Sequence, residues 1–119
     1  MGIIHIKGRV SNIKNESKKK ELEFLVDSGA QYTLLPKDVV ETLGLKPTRV
    51  QEFILGDGQI VKRKIGEAYI EIQGEKQPTT VILGEKKDSA LLGAVTLEQM
   101  GLILDPFNRE LRPMKAFLI

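Results

Sequence analysis

The sequence predicts a mainly β fold with two short helices, a small barrel or folded sheet. Two features predict it. Segments that alternate apolar and polar residues, rich in β-branched side chains, follow one another along the chain between Gly, Pro and Asn turn signals. Apolar residues at helical spacing occur only in two short stretches. The chain of 119 residues is expected to form a single lobe over residues 1–119, burying roughly two thirds of its unfolded surface.

The opening GIIHIKGRV alternates, as does ELEFLV, and the polar SNIKNESKKK between them reads as a hairpin loop. A DSGA turn leads into the short strand YTLLP. In PKDVVETLGL, Pro36 stands at a helix start, apolar residues keep helical spacing and Gly44 marks the stop. RVQEFIL, QIVKRKIGEAYIEI and TTVILG read as strands, divided by the turns GDG and QGEKQ. VTLEQMG gives the second helix, ending at Gly101, and LILD with ELRPMKAFLI forms a last hairpin around Pro106 and Asn108. The order of strand, glycine and helix recurs in SALLGAVTLEQMGLIL, which suggests two related halves.

Composition removes several chemistries. Without cysteine there is no disulfide, thiolate metal site or thiol nucleophile. A single histidine, His5, lies in an alternating strand, so a Ser-His-Asp triad would have to be built around it and a zinc-binding H-E-x-x-H helix is impossible. No metal and no cofactor is expected. The formal net charge is +2, and the basic clusters Lys18–Lys20 and Lys62–Lys64 lack interleaved aromatics or a recognition helix, so they read as solvated surface rather than a nucleic-acid face. Apolar runs are far shorter than the roughly 20 residues that span a bilayer, and MGIIHIKGRV does not read as a secretory signal. No membrane association is expected, and the default location is cytoplasmic.

The stretch EFLVDSGAQYTLL places a carboxylate, Asp27, between two apolar runs. An unpaired carboxylate in such surroundings costs several kcal/mol or becomes protonated, so Asp27 needs either a local partner or a chemical task. One reading is an Asx turn, with the carboxylate bonding nearby backbone donors and Gly29 supplying backbone freedom. The other is chemical. Two carboxylates holding a water between them can hydrolyse a peptide bond without metal, Cys or His.

FLVDSGA resembles the apolar-apolar-Asp-Ser/Thr-Gly-Ala/Ser signature of aspartic proteases. EFILGDGQIVKRKIGEAYIEI is similar to the flap hairpin of that family, and ALLGAVTLEQMGLIL to its apolar pair, glycine and short helix. The length matches the single-lobed, retroviral type, the retropepsin-like proteases. The resemblance implies a flap-bearing β fold, a two-fold homodimer and an aspartic endopeptidase acting on extended peptides. Asp27 would be catalytic, with Ser28, Gly29 and Ala30 forming the active-site loop. Ser28 would bond across to the partner loop. Leu55, Gly56, Asp57, Gly58 and Gln59 would form the flap tip that meets substrate, and Leu92 and Gly93 would support the loop from beneath. No other aspartate is followed by Ser/Thr-Gly, so the dyad would need Asp27 from each of two subunits.

The sequence departs from retroviral enzymes in two places. An acidic residue after the signature and an arginine after the second glycine commonly tie the viral lobe together; here Gln31 and Ala94 stand there, so that tie is expected to be absent or replaced. The tail DPFNRELRPMKAFLI is longer than one interface strand. The competing readings are a catalytically weak dimeric peptide-binding module on the same fold and, resting on the basic clusters alone, a nucleic-acid-binding β domain.

Overall fold

The computed structural model describes residues 3–27 and 29–119. Nine strands and two helices are present among them: β1 (Ile4–Ser11), β2 (Lys19–Val26), β3 (Thr33–Leu35), α1 (Lys37–Leu43), β4 (Arg49–Ile54), β5 (Ile60–Ile72), β6 (Glu75–Leu83), β7 (Leu91–Leu92), α2 (Ala94–Gln99), β8 (Leu102–Asp105) and β9 (Glu110–Pro113). The expected mainly β architecture with two short helices is therefore the observed one. One seven-stranded sheet runs β1-β2-β7-β3-β6-β5-β4, and β1 also pairs with β5, so the sheet folds back on itself. β8 and β9 form a separate two-stranded antiparallel sheet.

β5 shows how one strand serves two surroundings. Its first half pairs only with β4, and its residues alternate between exposed and half-buried. Its second half lies between β6 and β1 and contributes Ile65, Ala68, Ile70 and Ile72 to the interior. The β4–β5 hairpin thus leaves the sheet as a two-stranded arm. The core gathers Phe24, Leu35, Leu43, Ile70, Val81 and Leu92 from both helices' neighbourhoods and every central strand. Burial of such side chains stabilises by about 1.5–3 kcal/mol each.

α1 begins after Pro36 and ends at Gly44, whose φ of 64° lies in the left-handed region that glycine enters without penalty. Asn12, from the β1–β2 loop, donates its side-chain N–H to the Leu43 carbonyl at 2.8 Å, satisfying one of the helix's last acceptors. One boundary differs from expectation. QGEKQ is not a five-residue turn: Ile72 pairs directly with Glu75, the turn is Gln73-Gly74 with both φ values positive, and EKQ belongs to β6. Its polar residues suit an exposed strand end once β5 supplies the ladder. The last hairpin is also shorter than its sequence suggests, since β9 stops at Pro113.

Candidate active site

β2 ends at Val26 and the signature turn begins at Asp27. The parallel neighbour β7 brackets the turn: Leu25 pairs with Leu91 and Val26 with Leu92, and the Asp27 N–H donates to the Leu92 carbonyl at 3.1 Å. The Ala30 N–H donates to the Asp27 carbonyl at 3.0 Å and closes the turn. The Gly29 N–H donates to Asp27 Oδ1 at 2.9 Å, the bond an Asx turn makes. Asp27 is exposed in the single chain, so its surroundings are not those of a buried carboxylate. Ser28 lies outside the described residues.

Beneath the turn, α2 and the loop are joined backbone to backbone. The N–H groups of Ala94 and Val95 donate to the carbonyls of Ala30 and Gln31, each at 2.9 Å. A short helix has unpaired N–H groups in its first turn, and Gly93 offers no side-chain cap, so the loop carbonyls supply the acceptors. Gln31 and Ala94, which carry no charge, thus take part in this junction through main-chain atoms. Gly93 packs directly on the loop: a Cβ there would lie 2.4 Å from the Tyr32 carbonyl carbon and 2.9 Å from the Gln31 oxygen. Leu92 is fully buried below.

A buried hydroxyl chain completes this floor. Thr33 Oγ1 accepts from the Gly93 N–H at 3.0 Å and lies 2.6 Å from Thr96 Oγ1, which is 2.8 Å from Thr79 Oγ1. The sequence singled out none of the three. Each is an ordinary strand or helix threonine by pattern, and only the fold brings residues 63 positions apart into contact.

Two concavities flank the loop. On one side an apolar groove of about 680 Å³ is lined by Asp27 together with Val26, Ala94, Leu97, Leu102, Ile103 and Met114. On the other, a cleft of about 590 Å³ runs between Gly29–Tyr32 and the β4–β5 hairpin, with Phe53, Val61, Arg63, Asp88 and Leu91 in its walls. Tyr32 and Phe53 meet edge to face across it, ring centroids 6.0 Å apart. Of the residues expected at the hairpin tip, Leu55 reaches this cleft beside Gly29 and Ala30; Gly56, Asp57, Gly58 and Gln59 do not line it. The tip is a tight turn in which the Gly58 N–H bonds the Leu55 carbonyl at 2.9 Å and the Gln59 N–H bonds Asp57 Oδ1 at 2.9 Å.

Residues 13–99 match the family model described as "gag-polyprotein putative aspartyl protease". The chain belongs to this aspartyl protease family. The matched span contains the Asp27 turn, the β4–β5 hairpin and the Leu92-Gly93 support, and stops before β8. A search of curated proteins returned no match. Among the described residues, no helix of this family member is long and apolar enough to cross a membrane.

Proposed function

We propose that this aspartyl protease family member is an endopeptidase whose site is completed by two copies of the chain acting as a homodimer. The observation that carries the reading is Asp27 itself: its turn is fixed from below by β7, α2 and the threonine chain, while its carboxylate is exposed beside an apolar groove. Rigid support under an exposed acid suits chemistry.

In this reading a two-fold axis brings a second Asp27 opposite the first, and Ser28 bonds across to the partner loop. Adjacent carboxylates cannot both ionise cheaply, so the pair shares one proton, as aspartic proteases in general do. The ionised carboxylate takes a proton from the trapped water as its oxygen attacks the peptide carbonyl carbon. The protonated one donates to the carbonyl oxygen, and the tetrahedral intermediate collapses as the leaving nitrogen gains a proton. Gly29 and Ala30 keep the floor small so that an extended peptide can approach the main chain. The β4–β5 hairpin acts as the flap, with Leu55–Gln59 closing over substrate and excluding water. Leu92 and Gly93 act by positioning the loop.

The second reading, a dimeric peptide-binding module with weak catalysis, is favoured by one specific observation. The Gly29 N–H to Asp27 Oδ1 bond gives the carboxylate a structural task that needs no reaction. Cleavage of a mixed peptide library by wild type and Asp27→Asn, from acidic to neutral pH, separates the two. The protease gives a bell-shaped profile, lost in the variant and blocked by a pepstatin-like transition-state mimic. Folded wild type that binds peptides without cutting them establishes the binding module.

A further inference from the structure

Arg63 sits within the KRK stretch that reads as a solvated basic cluster, yet its environment is unlike that of its neighbours. Lys62 and Lys64 are exposed on the outer face of the hairpin, while Arg63, opposite Gln51 in register, is half-buried and lines the cleft beside the signature loop. Its Nη1 donates to Asp88 Oδ2 at 2.8 Å, with side-chain exposures of 26% and 22%. The Glu85 carboxylate stands farther off, at 3.7 Å, and the Glu85 N–H also bonds Asp88 Oδ2, at 2.7 Å. Asp88 Oδ2 is therefore saturated, whereas Asp88 Oδ1 and the other guanidinium N–H groups have no hydrogen-bond partner among the described residues. No buried side-chain nitrogen or oxygen among them lacks a partner, so these atoms are open to solvent.

We infer that the Arg63–Asp88 pair makes this cleft a subsite for a substrate side chain ending in a carboxamide, Gln or Asn; the inference rests on the peptide-binding reading above. The pair offers a donor and an acceptor side by side with its charges cancelled. A carboxamide is complementary to both at once: its oxygen accepts from the guanidinium and its NH₂ donates to Asp88 Oδ1. A carboxylate would face Asp88 and the nearby Glu85, and an ammonium would compete with Arg63 for Asp88. Leu34, Val61, Ile82 and Leu91 supply apolar walls for the aliphatic stem. A hydrocarbon side chain would bury the pair's open donor and acceptor without replacing their bonds to water.

The test is a peptide panel in which each position near the scissile bond carries Gln, Asn, Glu, Lys, Met or Leu. Cleavage is followed with wild type, and binding of the same peptides with Asp27→Asn. Wild type is expected to favour Gln or Asn over Met or Leu at one position by about tenfold, the scale of a hydrogen bond to a charged group. Asp88→Asn leaves Arg63 without its close counter-ion and is expected to move the preference at that position to Glu; Arg63→Met leaves Asp88 alone and moves it to Lys. A pair that merely braces the hairpin would weaken all substrates alike. Cleavage without carboxamide preference, or unchanged profiles in both variants, overturns the inference. Carboxamide-selective binding with no cleavage by wild type sustains the subsite and sinks the protease reading, whereas unselective binding, or none, overturns the subsite.

Discussion

Replacing Gly93 by alanine puts the support of the Asp27 loop to a direct test. Gly93 has an extended φ of −97°, so the backbone accepts any residue and the effect is one of space. The added methyl would lie 2.4 Å from the Tyr32 carbonyl carbon, 2.6 Å from its oxygen and 2.9 Å from the Gln31 oxygen. All three are main-chain atoms, with no flexible side-chain end to swing aside. Reaching ordinary contact requires a separation of about 1 Å between β7 and the loop. That shift breaks or lengthens the Gly93 N–H bond to Thr33 and the Ala94 and Val95 bonds to Ala30 and Gln31. Overpacking costs about 1–3 kcal/mol and each of the three weakened bonds about 1 more, giving roughly 4–6 kcal/mol from a total of about 5–15. In the fraction that folds, the proposed endopeptidase activity should fall by about 10²-fold, the scale of a 1 Å displacement of a catalytic group. Urea unfolding measures the first quantity, and peptide hydrolysis corrected for folded fraction the second. Gly56→Ala, where a Cβ meets nothing within 4 Å, is the control and should change stability little. Gly93→Ala with wild-type urea midpoint and turnover would refute the claim that this contact positions the loop.

Thr96→Val keeps shape but removes the hydroxyl between Thr33 and Thr79; it should cost about 1–3 kcal/mol in urea unfolding, and a variant as stable as wild type would show the chain to be dispensable. Phe24→Ala empties a fully buried site on β2 and should cost about 3–5 kcal/mol, read as a lowered unfolding midpoint. Asp105 is held below the usual carboxylate range, first by the Asn108 side-chain amide, then by the Asn108 N–H, with Arg112 and the Phe107 N–H adding to it. Because the folded value is depressed, its stabilising contribution is full above the ordinary aspartate range near 3.9 and is lost as pH falls through the folded value. Asp105→Asn should therefore unfold more easily than wild type at neutral pH, the difference narrowing in strong acid; a constant difference in pH-dependent unfolding contradicts this assignment.

The chain order of strands and helices was legible in the sequence because each rests on local information. Alternation sets β1, β2 and β5, Pro36 and Gly44 bound α1, and the turn that opens at Asp27 lies between its two apolar runs. The EKQ segment reads as turn because its polar residues carry no strand signal, and pairing with β5 makes it strand. What joins the site was beyond the sequence. Gln31 and Ala94 act through backbone atoms, which the side-chain alphabet does not report. Thr33, Thr79 and Thr96 are unremarkable until three elements meet, and Arg63 is one of three consecutive cations until strand alternation turns it inward to Asp88. The sequence by itself determined the elements and the acid at the end of β2, since short-range propensity and turn chemistry act within a few residues. The tertiary structure alone decided what supports that acid and what lines the cleft, since hydrogen bonds and close packing depend on atoms that long-range strand pairing brings together.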